Sequence, residues 1–111
     1  MAKGKGCRFF YETVSDDGVV RSEASSSDRV FKHAGVSNED QENPVIATLA
    51  YSDGPGTKLN PVEAIEVEPD GEFYFNPEDY EFDIAPNGFA EVHVSAPGGG
   101  KVNLSIMTCN P

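Results

Sequence analysis

The sequence contains no tryptophan, only two cysteines and two histidines, and few basic residues. Its 111 residues carry 19 Asp and Glu against 8 Lys and Arg, a formal net charge of −11. Such acidity argues against a protein that binds phosphate groups over its whole surface. No apolar run approaches the roughly 20 residues that a membrane helix needs, so we expect no membrane partner. The length suits one domain with one core.

The charge is unevenly distributed along the chain. Residues 1–34 hold six bases and five acids, whereas residues 35–111 hold two bases and fourteen acids. The first eight residues include Lys3, Lys5 and Arg8 and no acid, so we predict a flexible basic arm at 1–8 and a single domain at 9–111. No apolar stretch follows these bases, and we therefore expect no signal peptide. Residues 62–84 hold nine acids and no base, which indicates either a solvated face or a functional acidic band.

Apolar and polar residues alternate along much of the chain. Residues 90–95 and 102–107 show this period of two clearly, and residues 72–75 and 80–84 show it over shorter runs. The pattern is typical of half-buried antiparallel strands. Turn signals made of Gly and Pro with Asp or Asn separate the runs at short intervals. The sequence therefore predicts an all-β fold: a single antiparallel β-sandwich, Ig-like or jelly-roll-like, with about seven to nine short strands.

Some segments carry more specific expectations. Residues 8–14 and 44–51 are more continuously apolar, which favours central strands or strands covered on both faces. Residues 29–34 are a weaker strand candidate. At most one helical turn is expected, at residues 60–65, where Asn60 would cap the turn and Pro61 would begin it.

Residue types that carry chemistry are sparse and scattered. Cys7 and Cys109 could meet if the terminal strands are neighbours, but without a secretory signal we expect two free thiols. No pair of ligands has the short spacing of a zinc site. His93 shares a predicted strand face with Glu91 and Ser95, yet no nucleophile elbow accompanies them, which favours a surface histidine. We predict no catalytic residue, no metal site and no cofactor.

The C-terminal third resembles a known family. Residues 75–100 combine a Tyr- and Phe-rich strand, a Pro-Asn-Gly corner, an Ala-x-Val-x-Val strand and a Gly-rich hairpin, and a Val-x-Leu-x-Ile strand follows. This sequence pattern resembles the last strands of immunoglobulin-like β-sandwich domains. Domains of this type recur in tailed-phage virions as head decoration and tail appendages. The resemblance implies a cofactor-free protein of the virion, made in the host cytoplasm. Such a protein binds an assembled capsid shell, often as a symmetric oligomer and sometimes through an N-terminal arm.

Three functions follow as expectations. The first is a non-enzymatic capsid decoration or cement protein, whose partners are the protein shell or copies of itself, with no direct nucleic-acid binding. The second is an acidic nucleic-acid mimic that inhibits a DNA-binding enzyme through residues 63–83. The third is a small carbohydrate-binding module, whose stacking platforms would have to come from tyrosine. For the first, the expected partner-binding residues are Lys3, Lys5, Arg8, Phe9, Phe10 and Tyr11. The three aromatics among them could instead be ordinary first-strand core.

Overall fold

Two antiparallel β-sheets pack face to face in the computed structural model, which describes residues 6–96 and 98–111. Strands account for most of these residues, and the helix has a single turn. The fold is therefore the all-β antiparallel sandwich that the sequence predicts. The elements in chain order are β1 (Arg8–Val14), β2 (Gly18–Arg21), β3 (Arg29–Asn38), β4 (Val45–Ser52), β5 (Asn60–Val67), β6 (Glu72–Phe75), α1 (Pro77–Tyr80), β7 (Phe82–Ile84), β8 (Phe89–Ser95) and β9 (Val102–Cys109).

The strands pair in a nested order. The first sheet runs β1-β9-β3-β6, with β7 also paired to β3, and the second runs β2-β8-β4-β5. The chain thus pairs its first strand with its last, its second with the last but one, and so inward to the β4–β5 hairpin. If β6 and β7 are counted as one interrupted strand, this is the eight-strand order of a jelly roll. Of the two sandwich types that the sequence left open, the topology selects the jelly roll.

The core lies between the sheets and is built by alternation. Val92 and Val94 of β8 and Leu104 and Ile106 of β9 point inward and are buried, as the period of two predicts. Phe31 of β3 packs nearly parallel to Phe82 of β7, with 4.9 Å between ring centroids. Burial of these apolar side chains is the main term that favours the folded state. Among the described residues, no helix has the length and apolar character needed to cross a membrane.

The prediction of a helical turn at residues 60–65 is wrong. That segment is strand β5, which pairs with β4 along its whole length. β4 needs a partner on this side, and hydrogen bonds along a full ladder outweigh the local capping signal of Asn60 and Pro61. The helical turn falls instead at α1, where Asn76 precedes Pro77 and two acids occupy the first turn.

The predicted central position of residues 8–14 is also wrong. β1 is an edge strand that pairs only with β9, and most of its side chains are exposed. The weaker candidate at residues 29–34 belongs instead to β3, a ten-residue strand in the middle of its sheet. Local apolar content did not distinguish the edge from the centre, because that position depends on which strands return to pair.

Two Pro-containing turns each place a non-glycine residue in the left-handed region. Asp70 and Asn87, rather than the glycines that follow them, have positive φ, at 57° and 68°. Asn and Asp tolerate this left-handed region better than other non-glycine residues. Gly88 is needed for a different reason: a Cβ there would lie 2.4 Å from the backbone oxygen of Ser52. The glycine therefore allows the turn to pack against the end of β4.

Candidate functional site

A row of four residues crosses the outer face of the first sheet. The strand register places Tyr11 beside Ser105, Ser105 beside Gly35, and Gly35 beside Tyr74. Tyr11 is 68% exposed and Tyr74 is 44% exposed, so two large aromatic side chains face solvent. Two large rings therefore flank two of the smallest side chains, and the surface between them is a depression. We call it the trough and define it by Tyr11, Gly35, Ser37, Tyr74, Asn103 and Ser105.

The glycine at the centre of the row sets the shape of the trough. A Cβ at Gly35 would lie 3.2 Å from Cδ1 and Cε1 of Tyr74 and 3.0 Å from Oγ of Ser105. The Tyr74 ring therefore lies against bare backbone and leans across β3 toward the middle of the sheet. The open volume of the trough is about 230 Å³. Because β3 and β9 are inner strands of this sheet, the floor rests on a rigid part of the molecule.

The Tyr74 ring is held from two sides. His33 stacks against it with 5.5 Å between ring centroids and an interplanar angle of 28°. Its hydroxyl donates a hydrogen bond to Oε2 of Glu72 at 3.0 Å. This hydrogen bond, and then the negative charge of Glu72, raise the pKa of the Tyr74 hydroxyl above its usual value. Tyr74 is therefore a neutral, oriented ring at physiological pH.

Polar side chains line one end of the trough. Asn103 accepts a hydrogen bond at Oδ1 from the Thr13 hydroxyl at 2.8 Å, and its Nδ2 donates to a carboxylate oxygen of Glu39. Ser37 lies beside Asn103 in the register, and Glu72 lies beside Ser37. This arrangement offers hydroxyl, amide and carboxylate groups next to two aromatic faces. No Lys or Arg lines the trough.

The structure separates the six residues that the sequence analysis predicts to bind a partner. Lys3 and Lys5 lie outside the described residues. Arg8 is the first residue of β1. Phe10 points inward and packs against the core, whereas Phe9 is 56% exposed and stacks on Tyr11 with 6.2 Å between ring centroids. The alternation of an edge strand therefore divides three consecutive aromatics between the core and the outer face.

The expectation of free thiols is wrong, because Cys7 and Cys109 form a disulfide. β1 and β9 are antiparallel neighbours, and the pairing of Arg8 with Thr108 brings the two cysteines together. Cys7 and Arg8 therefore belong to the folded domain, and the boundary drawn after residue 8 moves toward the N-terminus.

A buried arginine supports the same end of the sheet. Arg29 is 4% exposed and donates to Oδ1 of Asn110 at 2.6 Å, to the backbone oxygen of Gly6 at 3.0 Å and to the backbone oxygen of Thr108 at 2.8 Å. Burial, and then repulsion from Arg8, lower the pKa of this guanidinium from its usual value. Its hydrogen bonds link the segments on both sides of the disulfide.

The outer face of the second sheet carries a second, mainly apolar depression with an open volume of about 370 Å³, lined by Leu59, Pro61, Ala50, Thr48, Glu91 and His93. The Glu91 side chain is buried and accepts hydrogen bonds from Nε and Nη2 of Arg21 at 3.0 and 2.7 Å. Its carboxylate is thus bound to a guanidinium rather than turned toward the exposed His93. Within the described part of the chain, no three His, Cys, Asp or Glu side chains cluster closely enough to hold a metal ion.

The acidic segment occupies one lateral edge of the sandwich. All nine acids of residues 62–84 are exposed, on β5, β6, α1, β7 and the turns between them. β5 and β6 are edge strands of the two sheets and are joined by a short turn. Lys32 forms an ion pair with Glu81 at 3.0 Å. Chain order and topology together therefore concentrate negative charge on this edge.

Comparison with known proteins identifies the fold but no family. No family model and no curated protein matches the chain. The solved structure of PirA aligns with a TM-score of 0.55 and 14% identity over 88% of this chain and 90% of that one. The Yersinia pseudotuberculosis-derived mitogen aligns with a TM-score of 0.53 and 8% identity over 96% and 86%. At these identities the similarity establishes a shared β-sandwich architecture alone.

A third structure, a pilus subunit of Bacillus endospore appendages described as disulfide-linked, aligns over 100% of this chain and 97% of that one. Its identity is 13% and its TM-score of 0.32 is too low to define a common fold. Neither PirA nor the mitogen is a tailed-phage decoration protein. The strand order is not the immunoglobulin-like one, so of the resemblance of residues 75–100 only the virion role stays a prediction.

Proposed function

We propose that this protein is a non-enzymatic binding module and that the outer face of the β1-β9-β3-β6 sheet is its binding surface. The observation that carries the proposal is the exposed pair Tyr11 and Tyr74 on either side of a floor of Gly35 and Ser105. Aromatic side chains dominate interface energies, and folded proteins expose them in groups mainly where they bind. The strand pairing that holds the floor rigid would reduce the entropy lost on binding.

Mapping with small organic probes tests the location of the binding surface without knowledge of the ligand. Phenol, isopropanol and acetamide are titrated into the isotopically labelled protein, and amide shifts are followed by NMR. We expect the shifts to cluster at Gly35, Ser105 and their strand neighbours. Tyr11→Ser should weaken that cluster of shifts. Ile46→Ser is the matched control, since Ile46 is 43% exposed, much like Tyr74. It should leave the cluster unchanged because it lies on the other sheet. Shifts concentrated around Leu59 and Pro61 would contradict the proposal.

Attachment to a virion is the finer form of the proposal. Jelly-roll domains are common in viral capsid proteins, which supports this role without separating it from other binding roles. A variant with Lys3→Ser and Lys5→Ser removes the basic charge and leaves the disulfide intact. It should cosediment less well than the parent protein with purified virus particles. If the variant cosediments as well as the parent protein, the arm at residues 1–8 does not contribute to attachment. If the parent protein itself does not cosediment, the virion role is refuted.

The acidic edge favours nucleic-acid mimicry as a second candidate. Its exposed carboxylates, spaced along β5, β6 and α1, would act as surrogate phosphates. A variant with Glu66→Gln, Glu68→Gln, Glu78→Gln and Asp83→Asn neutralises four of them and leaves the trough unchanged. If the parent protein inhibits a DNA-binding enzyme in a nuclease panel, this variant should not. Inhibition that survives the four changes would exclude the edge as its cause.

A further inference from the structure

We propose that the trough binds a neutral pyranose sugar of a glycan, with the sugar ring above Ser105 and between the rings of Tyr11 and Tyr74. The inference rests on the proposed function, since it assigns a ligand class to the same surface. Four features carry it: the aromatic walls, the small floor, the hydroxyl and amide groups at one end, and the sign of the local charge.

The walls match the apolar faces of a sugar ring. A pyranose presents C–H groups on its faces and hydroxyls around its edge. The face of an aromatic ring is the negative side of its quadrupole and attracts such C–H groups, while the flat contact excludes water. Tyr74 is already oriented by His33 and Glu72, so its platform exists before a ligand arrives. Tyr11 is stacked on Phe9, which restricts the second platform in the same way.

The floor leaves space for one ring. Tyr11 and Tyr74 stand three strand spacings apart, about 14 Å. Because the Tyr74 ring leans over Gly35, the gap that remains lies above Ser105. Its volume of about 230 Å³ is below that of pockets for drug-sized ligands. The trough is also open to solvent, so the rest of a glycan chain could continue out of it.

The polar groups have hydrogen-bonding capacity for hydroxyls. The Ser37 and Ser105 hydroxyls can each donate once and accept twice. Asn103 donates one of its two Nδ2 hydrogens to Glu39 and accepts once from Thr13, so a donor and a lone pair remain. A sugar edge, whose hydroxyls both donate and accept, complements this mixed set better than a purely apolar ligand does.

The local charge excludes anionic ligands. Glu72 and Glu39 lie at the polar end, no Lys or Arg is among the trough residues, and the whole chain carries −11. Phosphates, nucleic acids and acidic sugars would be repelled. A cationic ligand would be attracted by Glu72, and choline is the probe that distinguishes it from a neutral sugar.

The test uses the full chain with its disulfide intact. The protein has four tyrosines and no tryptophan, so its intrinsic fluorescence reports on tyrosine environments directly. Maltohexaose, cellohexaose, chitohexaose and β-1,4-galactotetraose are the neutral probes, and choline and a heparin hexasaccharide are the charged comparisons. We expect at least one neutral glycan to change the fluorescence saturably and to shift the amides of Gly35 and Ser105, with no response to heparin.

Matched variants assign the contact. Tyr11→Ala and Tyr74→Ala should each weaken binding at least tenfold, because each removes one platform. Tyr11→Phe keeps the aromatic face and should stay within about threefold of the parent protein. Ser105→Tyr fills the trough from the floor and should abolish binding, whereas Ile46→Ala on the other sheet should have no effect. Unchanged melting temperatures would show that the variants fold.

Two results would overturn the inference. One is the absence of a response to all four neutral glycans, and the other is saturable binding of choline alone, which would identify a cation site. Either result leaves the proposed binding surface standing if the organic probes still map to the trough. If the organic probes map to Leu59 and Pro61 and no glycan shifts Gly35 and Ser105, the proposed binding surface and the sugar site both fail.

Discussion

At the residue scale, Arg29 shows how a buried charge can be satisfied without a carboxylate. Its guanidinium donates to two backbone oxygens and to the side chain of Asn110, and a further contact reaches Oγ1 of Thr108 at 3.2 Å. The planar fork of arginine suits several fixed acceptors at once, which lysine cannot match. The residue therefore ties the two terminal segments to β3.

Arg29→Met keeps an unbranched apolar stem and removes every donor. We expect a loss of roughly 1 to 3 kcal/mol in the free energy of unfolding, because the backbone oxygen of Thr108 stays buried without this partner. Urea denaturation would show it as a lower midpoint at an unchanged m-value. Arg8→Ala is the matched control: it removes an exposed guanidinium that repels Arg29 and should change stability little. Equal effects of the two substitutions would contradict the assigned role.

Asp40 supplies a pH-dependent contact in the loop between β3 and β4. Its Oδ1 accepts from the backbone N–H groups of Glu42 and Asn43 at 2.8 and 3.0 Å, and Oδ2 accepts from Nδ2 of Asn43 at 3.2 Å. These hydrogen bonds, led by that from Glu42, lower the pKa of the Asp40 carboxyl from its usual value. The ionised form is therefore favoured in the folded protein.

A carboxyl whose pKa is lower when folded stabilises the protein above its unfolded pKa, and this contribution is lost as the pH falls through the folded value. The parent protein should thus be more stable than Asp40→Asn at pH 7, and the difference should vanish below the ordinary carboxyl range. Melting temperatures measured from pH 7 down to pH 2 would check this. Asp53→Asn serves as the control. A difference between the parent protein and Asp40→Asn that persists at pH 2 would exclude the ionised carboxylate as its source.

At the element scale, the β1–β9 pair closes the molecule. β1 is an edge strand, and its hydrogen bonds to β9 alone would leave it prone to fray. The disulfide joins two cysteines that are 102 residues apart in sequence, and it fixes the end of the pair at which β1 begins. One wall of the trough, Tyr11, belongs to this strand, so the position of that ring depends on the pairing.

Reduction of the disulfide should lower stability substantially. A loop of this length gives about 4 to 5 kcal/mol in the chain-entropy model, and measured values are commonly lower. We expect the urea midpoint of the parent protein to fall when a reductant is present. The double variant Cys7→Ser and Cys109→Ser should match the reduced protein and show no response to the reductant. Equal midpoints with and without reductant in the parent protein would contradict this expectation.

At the scale of the whole molecule, repulsion among the exposed acids should make stability depend on salt. The nine acids of residues 62–84 share one edge. The Debye length falls to about 10 Å at 0.1 M salt, which is short enough to weaken their mutual repulsion. Sodium chloride from 20 to 300 mM should therefore raise the melting temperature by a few degrees. The four-site variant at Glu66, Glu68, Glu78 and Asp83 should show a smaller rise. An equal rise in both proteins would assign the effect to other charges.

The extent of sequence-based prediction differs between the fold and the site. The alternation in residues 90–95 and 102–107 predicted two strands correctly because a half-buried strand needs that pattern. The expectations for residues 8–14 and 60–65 failed, since edge, centre and pairing depend on strands distant in the chain. The trough could not be predicted for the same reason: Tyr11, Ser105, Gly35 and Tyr74 come from four separate strands. The one signal in the sequence that points to it is the absence of tryptophan, which leaves tyrosine to provide any stacking surface.

The sequence by itself determined the all-β class, the acidity and its uneven distribution, because these follow from local pattern and composition. Tertiary structure alone decided the jelly-roll order, the meeting of Cys7 with Cys109, and which face of β1 carries its aromatics. Each of these depends on pairing between segments far apart in the chain, and the free energy of such pairing resides in contacts that no local window contains. The trough, and with it the proposed function, belongs to this second group.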